Sequence, residues 1–276
     1  MIRIFSIPIL ILTLCTQSEA EPMADLQTFR EYYFKIFPDL SLVDYANGVY
    51  AINEDAKQSW EAIEEFPPYE IAIDEGKLLF QTPFKNGKRY RDCFSGKGLG
   101  IANQYPKWDQ KQAKVITLAL AINQCRLKNN EPPLPYKKGA IANILAYMAY
   151  SSRGKPTQIV IPPSEPGALS AYEKGKEFYY SRRGQLNFSC ATCHIDNAGR
   201  SIRAETLSPA LGHTTGWPVY RLKWGEIGTL HRRFAGCNRQ VRAQPLEPQS
   251  EEYRNLEYFL SYMSNDIPVN GPSTRK

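Results

Sequence analysis

Residues Cys190-Ala191-Thr192-Cys193-His194 set two thiols three positions apart, with an imidazole directly behind the second. This is the spacing of a c-type haem attachment site: both thiols can add to the vinyl groups of one porphyrin, and the histidine that follows can reach its iron. C-x-x-C also occurs in zinc sites and in thioredoxin-like dithiols. A zinc site wants a second ligand pair at similar spacing, which the chain lacks, and the flanks show no βαβ pattern around a redox dithiol. The motif therefore predicts one covalently bound haem c, held by Cys190 and Cys193, with His194 as an iron ligand.

The N-terminus agrees with that chemistry. Met1-Ile2-Arg3 is a short basic start, Ile4 to Leu14 is almost wholly apolar, and Ser18-Glu19-Ala20 places small residues before Glu21. That is the pattern of a secretory signal peptide over residues 1–20, too short for a membrane span. Leu14 is a poor residue before a lipidated cysteine, so Cys15 is expected to leave with the signal. No other stretch approaches the ~18 apolar residues of a transmembrane helix. A periplasmic location follows as the expectation, in a space where thiols oxidise. The net charge of +6 is modest but uneven. Residues 54–75 hold Glu54, Asp55, Glu61, Glu64, Glu65, Glu70, Asp74 and Glu75 against Lys57, whereas residues 200–242 hold Arg200, Arg203, Arg221, Lys223, Arg232, Arg233, Arg239 and Arg242 against Glu205 and Glu226. Such runs are usually solvated faces. Beside a haem motif, the basic one can also steer an anion or an acidic partner. Nucleic acid is an unsuitable partner for an exported cytochrome.

Five cysteines remain after the signal, and haem takes two. Of Cys93, Cys125 and Cys237, two should pair in an oxidising compartment and one is left over. An internal repeat sorts them. Glu75-Gly76-Lys77-Leu78-Leu79-Phe80 matches Lys174-Gly175-Lys176-Glu177-Phe178-Tyr179, and Asp92-Cys93-Phe94 falls where Thr192-Cys193-His194 falls. Asn123-Gln124-Cys125-Arg126 echoes the stretch around Cys237, and Leu145-Ala146-Tyr147-Met148 matches Leu260-Ser261-Tyr262-Met263, at offsets of 99 to 115 residues. One unit has been duplicated. In the first copy Cys93 lacks its partner and Phe94 replaces the histidine, so Cys93 and Cys125 are free to bond to each other and Cys237 is the leftover thiol. The expected organisation is a haemless cytochrome c-like domain over 21–160 and a haem-binding one over 161–276, joined by the proline-rich stretch 154–167.

The periodicity is mainly helical. Leu26, Phe29, Tyr33, Phe34 and Phe37 predict an N-terminal helix. Ala113, Val115, Ile116, Leu118, Leu120 and Ile122 predict another over 110–126, and Ile141, Ile144, Leu145 and Met148 a third ending near Gly154. Ser170 predicts the cap of a helix running to Tyr180. Ser250, followed by Glu251 and Glu252, predicts a last helix with Tyr253, Leu256, Phe259, Leu260 and Met263 buried. Helix, C-x-x-C-H, loops and closing helix is the order of a cytochrome c fold, with the Gly175 helix crossing the Phe259 helix.

A second axial ligand could come from His213 or His231, since imidazole suits iron. Met263 sits on an apolar helix face and Met148 belongs to the other copy. Cys237, after Gly236 in what reads as a loop before the last helix, could bind as a thiolate favoured by Arg232, Arg233 and Arg239. The duplication, the single C-x-x-C-H and the segment His231-Arg232-Arg233-Phe234-Ala235-Gly236-Cys237-Asn238-Arg239 together resemble SoxA, the larger subunit of the SoxAX cytochrome of bacterial thiosulfate oxidation. The resemblance covers nearly the whole mature chain. It implies that Cys237 ligates iron and is the catalytic residue, commonly as a persulfide, and that Arg233 binds substrate. It further implies a SoxX-type cytochrome partner in a heterodimer, a SoxYZ-type sulfur carrier as acceptor, and thiosulfate as substrate. Many members carry two haems; this chain resembles the single-haem type with a disulfide in place of the first. The competing expectation is an electron-transfer cytochrome without bond-making chemistry.

Overall fold

The computed structural model describes residues 22–275; the leader with Cys15 lies outside them. In chain order the elements are α1 (Pro22–Ile36), α2 (Glu54–Glu64), α3 (Glu70–Gln81), the hairpin β1 (Lys107–Asp109) and β2 (Lys114–Ile116), α4 (Leu118–Lys128) and α5 (Ala140–Tyr150). There follow α6 (Pro166–Tyr180), α7 (Cys190–His194), the hairpin β3 (Ser201–Ile202) and β4 (Glu205–Thr206), β5 (Val219–Arg221), β6 (Glu226–Gly228), α8 (Leu230–Gln240), α9 (Glu251–Met263) and β7 (Ser273–Arg275). The fold is mainly α, as its periodicity requires.

The duplication is visible in three dimensions. Thr117 caps α4 by accepting from the Leu120 N–H, and Thr229, 112 positions later, caps α8 by accepting from the Arg232 N–H. The hairpins β1–β2 and β5–β6 precede those caps at the same offset, and Cys125 and Cys237 hold the same place on α4 and α8. Each copy closes by crossing two helices at a glycine. A Cβ on Gly76 would lie 1.9 Å from the Asn143 carbonyl oxygen and 3.1 Å from the Tyr147 Cβ. One on Gly175 would lie 2.1 Å from the Asn255 oxygen and 3.0 Å from the Phe259 Cβ. The repeat therefore matches Tyr147 to Phe259, not to Tyr262 as the local sequence suggests. The error is three residues, about one helical turn, which leaves the apolar pattern intact. Gly175→Ala meets backbone that cannot yield, so a destabilisation of about 1–3 kcal/mol is expected. Thermal unfolding of the purified protein checks it; an unchanged midpoint would mean the helices separate at no cost.

Two helix starts differ from expectation. Residues 107–116 form a hairpin, not the first half of a helix: Ala113 has φ +47° in its turn, and the Thr117 hydroxyl starts the helix only at Leu118. α6 begins at Pro166, four residues before Ser170, because a first-turn residue needs no N–H of its own. Ser250 caps α9 as expected, accepting from the Tyr253 N–H, and the stripe Tyr253, Leu256, Phe259, Leu260 and Met263 is buried.

The cores do not divide at residue 160. One gathers Phe80, Phe84, Tyr90, Ile101, Leu118, Ile122, Cys125, Ile141, Ile144 and Met148. The other joins Leu26, Phe29, Tyr33 and Tyr45 to Tyr172, Tyr179, Leu256, Phe259 and Met263. The N-terminal helix thus serves the second copy. The chain beyond α9 turns back: the Thr157 N–H donates to the Ile267 carbonyl at 2.9 Å, the Val269 N–H to the Lys155 carbonyl at 2.9 Å, and β7 then joins β5 in parallel. That third strand has no counterpart on β1–β2 among the described residues. In the first copy Cys93 and Cys125 are disulfide-bonded, with Cα atoms 5.7 Å apart.

Candidate active site

The C-x-x-C-H run forms a single helical turn, α7, because Ser189 caps it. Its hydroxyl accepts from the Thr192 N–H at 3.0 Å, and the Ser189 N–H donates to Thr192 Oγ1 at 3.2 Å. Positions 190, 193 and 194 then share a face. His194 Nδ1 donates to the Ser208 carbonyl at 2.9 Å, which fixes the tautomer and leaves the Nε2 lone pair available for a metal. Burial pulls this imidazole down to about 4, with the Arg233 charge adding to the effect, so it is neutral at working pH. The motif is buttressed from α1: the Tyr33 hydroxyl donates to the His194 carbonyl at 2.5 Å and accepts from the Ala210 N–H at 3.0 Å.

Cys190 and His194 open onto a cavity of about 490 Å³. Phe178, Tyr179, Phe234, Tyr253, Leu256 and Leu260 give it an apolar body, and α8 supplies Arg233 and Cys237, four residues apart and thus on one helix face. Burial pushes the Cys190 thiol up to about 12, and the nearby Cys237 sulfur adds to the rise. Cys190, Cys193 and Cys237 are all free thiols. The Tyr179 hydroxyl is buried with no hydrogen-bond partner. These residues fit a haem: two unbonded thiols at attachment spacing, a neutral imidazole with a free Nε2, an apolar pocket of suitable size, and a second sulfur on its lining. Among the described residues no three of His, Cys, Asp or Glu converge as a metal cluster.

The structure separates the candidates for the second ligand. His213 lies edge-on to His194 with ring centres 4.4 Å apart, and its Nε2 is 3.0 Å from Ser208 Oγ. An iron between two imidazoles needs about 6 Å between ring centres, given metal–nitrogen bonds of about 2 Å. His213 therefore packs beside His194. His231 is buried away from the cavity: its Nδ1 accepts from the Gln249 N–H at 2.9 Å and its Nε2 faces Glu257 at 3.0 Å. Met263 is core, 1% exposed. Cys237 does line the cavity, but from within α8, not from a loop; Leu230 and Phe234 packing carries the helix through Gly236. The basic run divides too. Arg203, Arg221 and Arg233 line the cavity, while Arg232 lies over the Trp224 ring at 4.2 Å and pairs with Glu226 at 3.1 Å. Arg275, outside that run, also lines the cavity; no local pattern flags it.

A capped C-x-x-C-H turn, crossed flanking helices and an apolar pocket between them define a cytochrome c fold; the crossed helices recur in the first copy without the motif. A family model described as SoxA/TsdA, cytochrome c domain, matches residues 75–157, the first copy. The chain is 56% identical over 257 residues to the L-cysteine S-thiosulfotransferase subunit SoxA of Allochromatium vinosum, covering 93% of this chain and 91% of that one. It is 51% identical over 253 residues to the subunit of the same name from Chlorobaculum tepidum, covering 92% and 87%. The solved structure of SoxXA from P. pantotrophus superposes with a TM-score of 0.74 at 29% identity, covering 82% of this chain and 86% of that chain. The chain belongs to the SoxA family of L-cysteine S-thiosulfotransferase subunits, the cytochrome subunits of thiosulfate oxidation. Among the described residues no helix is long and apolar enough to cross a membrane.

Proposed function

We propose that this chain joins thiosulfate oxidatively to a cysteine of a SoxYZ-type carrier protein in the periplasm. It does so through Cys237 and one haem c on Cys190, Cys193 and His194, in a heterodimer with a SoxX-type cytochrome. The first copy, with Phe94 where His194 stands and Cys93 bonded to Cys125, carries no haem. One observation carries the reading: Arg233 and Cys237 share a face of α8 and line the same cavity as His194. The reaction forms one S–S bond between the carrier thiol and the outer sulfur of thiosulfate, releasing the thiol proton and two electrons. When bound, haem supplies a one-electron acceptor, from which a partner cytochrome collects both electrons in turn. Arg233 presents a planar fork to the dianion's oxygens and orients its outer sulfur toward Cys237. Cys237 serves as iron ligand and catalytic sulfur, and an added sulfur on it, a persulfide, accords with a reactive thiol.

Arg233→Ala should keep one haem per chain and lose thiosulfate use. A missing charge-assisted contact costs ~1.5–3 kcal/mol, so kcat/KM should fall roughly ten- to a hundredfold. Arg233→Lys should recover only part, since an ammonium lacks the bidentate fork. Steady-state assays with thiosulfate and the carrier decide it: wild-type kcat/KM in the alanine variant would remove Arg233 from substrate binding.

A further inference from the structure

β5 and β7 run parallel in a register that sets Arg221 beside Arg275. Both line the cavity. Val219 and Ser273, two residues earlier on each strand, are buried on that face, whereas Tyr220 packs on the opposite face with Tyr69, Ala72 and Ile227. One wall therefore carries two adjacent guanidinium groups. Burial pulls both below the usual arginine range. Arg221 lies 3.8 Å from Glu205, whose side chain is 45% exposed, and over the Trp224 ring at 5.3 Å. Arg275 lies over the Tyr50 ring at 5.1 Å, and its guanidinium rests against Gly216, where a Cβ would come within 3.0 Å. β7 is fastened in place: Ser273 Oγ donates to the Gly216 carbonyl at 2.9 Å, the Tyr50 hydroxyl to the Thr274 carbonyl at 3.3 Å, and Arg153 to the Pro272 carbonyl.

The repeat supplies a control inside the molecule. At the 112-residue offset the counterpart of Arg221 is Asp109, and among the described residues β1–β2 has no third strand to bring a counterpart of Arg275. The arginine pair thus belongs to the copy with the C-x-x-C-H motif. The two differ in their neighbours: Arg221 feels Arg233 and Cys237 from the sulfur face, whereas the groups that weigh most on Arg275 are Tyr50, Glu64 and Tyr69. We propose that Arg221 and Arg275 form a two-guanidinium clamp for the carboxylate edge of the haem, one fork for each of its two propionates, with Cys190 and Cys193 fixing the vinyl edge. The proposal rests on the haem assignment above. Paired forks suit paired carboxylates because each can bind bidentately. The clamp also places positive charge beside the porphyrin, which favours the reduced iron.

The test uses the full-length, haem-loaded protein. Arg275→Gln, at the end of a strand, is the primary variant; Arg275→Lys tests charge without the fork, and Arg221→Gln tests the more buried partner. The readouts are haem per chain, the haem midpoint potential by spectroelectrochemical titration, and KM for thiosulfate. The expected result is one haem per chain in Arg275→Gln, a midpoint potential shifted lower, a partial return in Arg275→Lys, and no change in KM. A wild-type potential with a raised KM would assign the pair to the substrate's oxyanion and overturn the clamp. A wild-type potential and a wild-type KM would overturn it as well. A haem-free parent protein would overturn the haem assignment and the clamp with it, and is told apart because it shows before any substitution is made.

Discussion

Cys237→Ala is expected to abolish thiosulfate conjugation to the carrier, by at least ~10³-fold, the scale on which removal of a catalytic nucleophile acts. The same substitution should change the low-temperature EPR spectrum of the ferric protein, because a thiolate–histidine pair gives a low-spin signal distinct from His/His and His/Met. The two effects belong together if one sulfur serves as ligand and as reacting atom. His213 is pressed against His194 and His231 is held by Gln249 and Glu257, so neither is placed to take over. The haem should remain attached, since Cys190, Cys193 and His194 sit on a separately capped turn. If the alanine variant keeps both wild-type spectrum and wild-type turnover, Cys237 is a bystander and the protein is an electron carrier.

Removing the first copy's disulfide should cost the most stability. Cys93 and Cys125 are 32 residues apart, and closing a loop of that size is worth about 3–4 kcal/mol in the chain-entropy account. The bond also lies within a filled environment: the Asn129 amide donates to the Cys125 carbonyl at 2.8 Å and lies 3.5 Å from Cys93 Sγ. Cys93→Ser combined with Cys125→Ser is therefore expected to lower the denaturation midpoint sharply in urea, with the haem content unchanged. Equal stability of the double variant and the parent, with the parent's thiols shown to be oxidised, would refute a stapling role.

What the sequence disclosed, and what it hid, follows from the range of the interactions. The haem motif and its cap are local, and five consecutive residues display them. α1 and α9 are long enough for 3.6-residue periodicity to be read without help. The three-residue strands of the hairpins are too short for any period, so the apolar run around Val115 passed for helix. Gly236 lowers helix propensity by about 1 kcal/mol relative to alanine, which is why the Cys237 segment reads as a loop. Packing of Leu230 and Phe234 overrides that local preference. Arg275 was invisible because β7 exists only through pairing with a strand more than fifty residues earlier. The packing of α1 on the second copy was hidden for a like reason: nothing near Leu26 or Tyr33 records that their partners are Tyr172 and Phe259.

That uneven sharing of the chain gives assembly a direction. Among the described residues, the core around the disulfide draws on residues from Leu79 to Met148. The core around the haem motif reaches from Leu26 to Ile267, and Arg30 donates to the Asn265 carbonyl 235 residues away. Contacts of short sequence separation form faster than those that must first close long loops. The first copy's core is accordingly expected to organise first, with its amides protected before those of α9 in pulsed hydrogen exchange, and the strap from Ile267 to Val269 lies along Lys155 and Thr157 at its edge. On that expectation, a duplicated unit without the cofactor motif serves as the platform on which its sibling is put together.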